Sequence, residues 1–248
     1  MDKLSAVIIT LNEERNIERC LLSLKDVADE IVVVDSLSVD RTKEICEKAE
    51  VRFIQESWKG YAETKNFANS LVTNDWILSI DADEEVDEQL RKEILEHKTR
   101  GFKGTYVLNR LTNYCGKWIK HSTWYPDKKV RIFPKEKARL SGEYVHEELE
   151  LTEQLPQTEL KGHLNHYSYY NYKEHRLRAD KYSLLTAKKL NAAGKTVGPL
   201  KPFISSFGRF VTMFILNSSE HRRFDINSFI RESSIRSNHF VNTNIRNT

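Results

Sequence analysis

Three cysteines in 248 residues, no apolar run of membrane-spanning length and little excess charge of either sign remove several classes of protein at the outset. Cys20, Cys46 and Cys115 have neither metal-ligand spacing nor the even count of a disulfide framework, so reduced thiols in a cytosolic setting are expected. No stretch approaches the ~18 consecutive apolar residues of a membrane span, and a signal-peptide core is missing from the N-terminus. A cytoplasmic protein is expected, with contact at a membrane surface still open to it. The 39 basic residues nearly cancel the 36 acidic ones, and a formal net charge of +3 gives no basis for a nucleic-acid partner. The length suits one large domain or two small ones with a real core.

What is present in the first hundred residues is alternation. The run LSAVIIT (4–10) has the character of a buried strand, and Ile17, Cys20, Leu21 and Leu24 follow at helical spacing. EIVVVD (30–35) repeats the strand pattern, and SVDRTKEICEKAE predicts a helix with Ile45 and Ala49 on one face. VRFIQE, YAETKNFANSLV and DWILSI continue the order as strand, helix and strand. Near-continuous apolar strands are expected where helices cover both faces of a parallel sheet. The predicted fold is therefore α/β, a doubly wound, mostly parallel sheet.

In such sheets ligands bind beyond the carboxyl ends of the strands. Those ends carry Thr10, Leu11, Asn12 and Glu13, then Asp35 and Ser36, then Asp81, Ala82 and Asp83. Taken alone, Asp81 and Asp83 read most simply as a helix N-cap and solvated first turn before EQLRKEILEHK. Two carboxylates one residue apart also suit a hard divalent cation that keeps phosphate oxygens in its shell. Acids this crowded need a counter-charge, which a metal-bound diphosphate would supply.

The ordered set VIITLNEERNI, VVVDSLSVDRTKEI and ILSIDADEEV resembles the nucleotide-binding half of family 2 glycosyltransferases with the GT-A fold. The resemblance continues through WYPDKKVRIFPKEKARLSGEYVHEEL to about residue 203, and is similar in detail to the bacterial branch that includes lipopolysaccharide core β-glucosyltransferases. It implies a catalytic nucleotide-sugar domain over 1–165, a helical acceptor-facing or membrane-facing extension over 166–203, and an atypical tail over 204–248. It also implies a nucleoside-diphosphate sugar donor, with UDP-glucose the family-based expectation, and a glycan or glycolipid acceptor. The cofactor would be Mg2+ or Mn2+, and a peripheral contact would form on the cytoplasmic face of the inner membrane.

Residue by residue, the resemblance places Thr10 to Glu13 around the base and ribose and makes Asp35 an acceptor for the base, with Ser36 beside it. A uracil imide N–H is a donor and a carboxylate at a strand end is a fixed acceptor, so chemistry and resemblance agree. The competing role for Asp35 is turn chemistry, which Ser36, Ser38 and Asp40 are placed to supply instead. Asp81, with Ala82 beside it, would face the ribose or sugar, and Asp83 would hold the cation. Lys65 is read either as a phosphate or sugar contact or as a solvated helix lysine, and Arg131 as a partner for phosphate or for an acidic neighbour. Trp124 is assigned to a sugar face and Trp118 to the core.

In YVHEEL, Glu147 is the candidate general base for an inverting transfer, Glu148 its alternative, and His146 a metal ligand or diphosphate contact. Adjacent residues of an extended strand face opposite ways, so His146 and Glu147 reach one site only where the strand has ended or bulged. His163 and His166 are expected to be structural, with His166 also a metal or phosphate candidate. A helix over roughly 172–193 combines Leu177, Leu184, Leu185 and Leu190 with a basic side of Arg176, Arg178, Lys181, Lys188 and Lys189, suited to solvent or anionic headgroups. Lysine is absent beyond Lys201 and leucine beyond Leu216, where Asn, Ser and Arg dominate. A loosely ordered tail, replaced or translated out of the ancestral frame, is expected.

Three classes follow: a metal-dependent inverting glycosyltransferase, a catalytically weakened sugar-nucleotide-binding protein, and a nucleotidyltransferase. The last requires a glycine-rich basic loop after the first strand, and TLNEERNI has neither glycine nor lysine.

Overall fold

The computed structural model describes residues 1–121, 124–142, 148–192, 194, 200, 203–205 and 207–208. The chain divides into two compact units, one of residues 1–111 and 126–167, the other of residues 112–125 and 168–248.

In the first unit, β1 (Leu4–Thr10), α1 (Ile17–Leu24), β2 (Glu30–Asp35), α2 (Thr42–Lys48), β3 (Arg52–Gln55), α3 (Tyr61–Ser70) and β4 (Trp76–Asp81) alternate as the apolar periods require. Next come β5 (Glu84–Val86), α4 (Glu88–Arg100) and β6 (Thr105–Tyr114), then β7 (Lys117–Trp118), β8 (Asp127–Pro134), β9 (Ala138–Ser141), β10 (Glu148–Leu151), β11 (Gln157–Tyr169) and α5 (Tyr172–Ala192). The strands lie in the order β3-β2-β1-β4-β8-β6-β11-β5. From β3 through β4 they are parallel. Beyond β4 the pairs β4–β8, β6–β8 and β5–β11 are antiparallel, and β6, β8 and β11 come from the Tyr- and β-branched-rich segment after residue 104. The α/β fold thus begins with the crossover connections of a doubly wound sheet and is completed by antiparallel strands.

Both faces of the parallel portion are covered. Leu4, Ala6 and Ile8 of β1 pack with Ile17, Cys20, Leu21 and Leu24 of α1 on one side, while Val7, Val32 and Val34 meet Ala68 of α3 on the other. This explains why β1 and β2 read as unbroken apolar runs. Helix α2 differs from its predicted face: Thr42 and Cys46 are buried, Ile45 is partly covered, and Ala49 is exposed at the helix end. Gly162 on β11 is required by contact, because a Cβ there would fall 2.1 Å from the Leu90 backbone nitrogen at the start of α4.

In the second unit, the ends of β6 and β11 carry Tyr114 and Tyr169, which pack with Ile119 and Trp124. The buried His175 of α5 accepts or donates a 2.8 Å hydrogen bond at Nδ1 with the Tyr114 hydroxyl. Helix α5 buries His175 and Ala179, whereas Leu177 and Leu184 are exposed. Among the described residues, the covered positions of α5 are thus His175 and Ala179 and not Leu177 or Leu184. No described helix is long and apolar enough to cross a membrane. The tail from residue 209 onward, expected to be loosely ordered, lies outside the described residues.

Candidate functional site

Parallel pairing sets Thr10 beside Asp35, and the Ser36 amide donates to the Thr10 carbonyl at 2.8 Å, so β1 and β2 end side by side. Their loops are then laced together. The Asn12 amide donates to Ser38 Oγ at 2.8 Å, Asn12 Oδ1 accepts from the Val39 amide at 2.9 Å, and the Glu13 amide donates to Thr42 Oγ1 at 2.9 Å. Asp40 accepts from the Glu14 amide and from both the amide and hydroxyl of Thr42, the turn and capping role assigned to it from sequence. Those bonds hold its carboxyl below the usual range despite the opposing effect of burial. Asn12 and Leu37 accept positive φ, 55° and 66°, to make the crossing, and Leu11 is left exposed.

Asp35 is fully enclosed, at 0% exposure. Its Oδ2 accepts from the Ser38 amide at 2.8 Å and from Gln55 Nε2 at 3.0 Å, and its Oδ1 accepts from the Ser38 hydroxyl. The turn chemistry that the sequence reading gave to its neighbours therefore falls on Asp35 itself. With about four acceptor positions on a carboxylate, one remains. The neighbours show the opposite condition: Thr10 Oγ1 and Ser36 Oγ are buried hydroxyls with no hydrogen-bond partner. Buried polar groups are ordinarily paired, so unpaired hydroxyls at the ends of two neighbouring strands are an unusual feature of this carboxyl edge.

The end of β4 is built from charge. Lys65 Nζ lies 3.0 Å from Asp81 Oδ1, and Arg131 Nη2 lies 3.0 Å from Asp81 Oδ2 and 2.8 Å from Glu84 Oε1. Lys65, only 4% exposed, is not the solvated helix lysine of the simpler reading. It lies on α3, which is preceded by Gly60 at a φ of 104°, a conformation that favours glycine. Arg131, on β8, takes the acidic-neighbour role. Two of the crowded acids, Asp81 and Glu84, are thus balanced by the protein's own cations. Burial would raise the Asp81 pKa, but Lys65 and Arg131 overcome it and hold this carboxyl well below its usual range. Burial pushes Glu84 up against the pull of Arg131. It also raises the Cys20 thiol well above normal, with Glu84, Asp83 and Asp81 adding to the effect.

Neither Asp81 nor Asp83 caps the following helix, because Asp87 does so by accepting from the Leu90 amide at 2.7 Å. Ala82 is buried in the turn between them. Asp83 Oδ2 instead lies 3.3 Å from His166 Nε2 on β11. Among the described residues no group of three or more His, Cys, Asp and Glu side chains is arranged to hold a metal. Asp83 with His166 provides two adjacent donors, which suits a cation that draws its remaining ligands from phosphate and water. The His163 amide donates to Asp87 Oδ2 at 2.9 Å, and its ring Nδ1 lies 3.4 Å from the same oxygen.

The burial of the two tryptophans is the reverse of that expected. Trp124 is 8% exposed and packs edge-on against Tyr114 at 5.7 Å within the second unit, while Trp118 is 38% exposed. A ring enclosed by other aromatics has no face to offer a sugar, so Trp124 is corrected to a core residue. His146 and Glu147 lie outside the described residues. Glu148, the alternative base, begins β10 opposite Ser141 and is exposed. Sequence reasoning missed Glu84 and Arg110, whose guanidinium lies 3.6 Å from Glu84 Oε1. No local signal marked them, because their partners lie far away in sequence.

Comparison with known proteins agrees with the sequence resemblance. The family profile described as Glycosyl transferase family 2 matches residues 5–149. An uncharacterized glycosyltransferase of Rickettsia felis is 50% identical over 94 residues, which cover 38% of this chain and 33% of that relative. A lipopolysaccharide core biosynthesis glycosyltransferase, LpsC of Rhizobium meliloti, is 44% identical over 94 residues, covering 36% of this chain and 34% of its own. The chain thus spans about a third of the length of the curated relatives it matches. The crystal structure of S. aureus TarS 1–349 in complex with UDP-GlcNAc is 16% identical, covers 93% of this chain and 79% of TarS, and has a TM-score of 0.46. With the profile spanning more than half of its residues, the chain belongs to glycosyl transferase family 2.

Proposed function

We propose that this chain is an inverting, metal-dependent glycosyltransferase that moves a hexose from a nucleoside-diphosphate sugar to a lipopolysaccharide-core or other cell-surface glycan. UDP-glucose is the proposed donor. The observation that carries the reading is the pair of buried, unpartnered hydroxyls of Thr10 and Ser36 at the β1 and β2 ends, on the same carboxyl edge as the Asp81 cluster. A nucleoside offers hydroxyls, carbonyls and an imide to the first feature. Thr10 to Glu13, Asp35 and Ser36 would hold base and ribose, and Asp81 with Lys65 and Arg131 would meet the sugar and diphosphate. Family membership supports the transferase class, and the LpsC relative supports the acceptor class.

In a single inverting displacement the acceptor oxygen attacks the anomeric carbon as that carbon's bond to the diphosphate oxygen breaks. The bonding electrons leave with the diphosphate, and the acceptor's proton passes to a carboxylate. Glu147 is the proposed proton acceptor. Asp83 and His146, with His166 beside Asp83, would hold Mg2+ or Mn2+, whose contribution when bound is to stabilise charge on the departing diphosphate. Trp124 is not part of the proposed site.

A donor-hydrolysis panel with and without Mn2+ or Mg2+ tests this reading. Metal-stimulated turnover of UDP-sugars, lowered ~10²–10⁴-fold by Glu147→Gln with UDP affinity unchanged, is expected. Binding of sugar nucleotides without turnover of any donor would favour a weakened binding protein, the reading suggested by the unusual composition beyond Lys201. Indifference to every sugar nucleotide would remove both.

A further inference from the structure

The side chain of Glu84 is wholly enclosed beside Arg131. Its two oxygens do different work. Oε2 accepts a 2.9 Å hydrogen bond from the backbone amide of Asp81, while Oε1 accepts from Arg131 Nη2 at 2.8 Å. That same nitrogen lies 3.0 Å from Asp81 Oδ2. Glu84 therefore grips Asp81 twice, directly through the backbone and indirectly through the guanidinium that holds its carboxylate.

The grip is braced from behind. Arg110 Nη1 lies 3.6 Å from Glu84 Oε1, and Arg110 is itself clamped by Asp127, which accepts from its Nε at 2.7 Å and faces its Nη2 at 2.6 Å. Arg110 and Asp127 are cross-strand partners of β6 and β8, and Glu84 is registered against His166 across β5 and β11. Lys65, Asp81, Arg131, Glu84, Arg110 and Asp127 thus form a row of alternating charge anchored mainly on strands. A carboxylate serving only to neutralise Arg131 would not need the Asp81 amide. One serving only as an acceptor for that amide would not need burial against two guanidinium groups.

We propose that Glu84 is a positioning residue for the sugar-nucleotide diphosphate, fixing the Asp81 backbone and the Arg131 guanidinium in one geometry at the carboxyl edge of β4. The proposal rests on the sugar-nucleotide reading of that edge. Displacing a binding group by about an ångström is enough to cost a reaction ~10²-fold, and a side chain held by two independent bonds is how such a displacement is prevented.

Glu84→Gln keeps the shape and an acceptor for the Asp81 amide but removes the charge that holds Arg131. Donor hydrolysis in saturating Mn2+ should show kcat lowered by ~10–100-fold with KM changed by less than ~3-fold. In an Arg131→Lys background the same substitution should cost nothing more, because residues acting as one unit are non-additive. Glu84→Asp, one methylene too short to span both partners, is measured alongside and should show the same loss. It also serves as the test if the Gln variant does not fold. A second arm needs no donor: the Arg131 Nη protons should give separate, slowly rotating NMR signals in the native protein that merge in either variant. Native kcat in both variants, equal losses in the two backgrounds, or undisturbed Arg131 signals would overturn the proposal. Native protein that turns over no sugar nucleotide while Arg131 responds as expected would contradict the functional reading and the donor half of the proposal, leaving the linkage itself established.

Discussion

At the carboxyl ends of β1 and β2 the loops are tied by hydrogen bonds between side chains and backbone, whereas at the end of β4 side chains are tied to one another by charge. The first arrangement uses Asn12, Ser38, Asp40 and Thr42 to join two loops and leaves the Thr10 and Ser36 hydroxyls without partners. The second pairs each of Asp81 and Glu84 with a cation of the protein. A ligand at the first region would complete hydrogen bonds that are missing, while a ligand at the second must compete with ion pairs already made. On the proposed reading, selectivity for the nucleoside belongs to the β1 and β2 ends, and geometry at the diphosphate to the β4 end.

The comparison predicts unequal costs of substitution. Arg131→Met removes one member of a buried ionic cluster and strands Glu84 with the more distant Arg110. A loss of about 3–5 kcal/mol in urea unfolding is expected, because an unpaired buried charge remains. A loss below ~1 kcal/mol, the range of exposed pairs, would show that the cluster is effectively solvated. Asp35→Asn places an NH2 where Ser38 and Gln55 already donate, and should cost about 1–3 kcal/mol by the same measurement. If the Asp35 substitution costs more than the Arg131 one, the assignment of the stronger scaffold to β4 is wrong.

Much of this arrangement was legible in the sequence for a simple reason. Apolar runs and helical spacing identify elements directly, so β2 was predicted at its observed bounds and the buried face of α1 residue by residue. The α/β topology then placed Thr10, Asp35 and Asp81 along one edge before any contact was known. What was not legible depended on partners distant in sequence. Lys65 on a polar helix gives no local sign that it will be buried against Asp81, and Glu84 within an acidic run gives none that Arg131 will reach it from 47 residues away. The tryptophans failed for the same reason, since neither Trp118 nor Trp124 carries a period that distinguishes an enclosed ring from an open one.

Asp87 sharpens the contrast from just outside both regions. As the α4 cap it should contribute about 1 kcal/mol, so Asp87→Ala should lower stability by that amount while leaving nucleotide affinity alone. Asp81→Ala should do the reverse to affinity, and equal effects on affinity would place the cap within the site. The smallest effect is electrostatic. The Asp40 pKa is depressed in the folded protein, opposed by burial but lowered by Thr42 and Glu14. Its contribution is therefore present above the unfolded value of about 3.9 and is lost as pH falls through the folded value. Stability profiles of native protein and Asp40→Asn should converge on acidification below about pH 4, and parallel profiles would exclude Asp40 as a source of acid sensitivity.

Titration calorimetry of UDP, with and without Mn2+, tests most directly whether this carboxyl edge takes a nucleoside diphosphate through both regions at once. The native protein should bind UDP more tightly with the metal, and Asp83→Ala should lose that metal-dependent increment while retaining the remainder held by the β1 and β2 ends. Equal affinity in the presence and absence of Mn2+, or an Asp83→Ala protein indistinguishable from native, would contradict it.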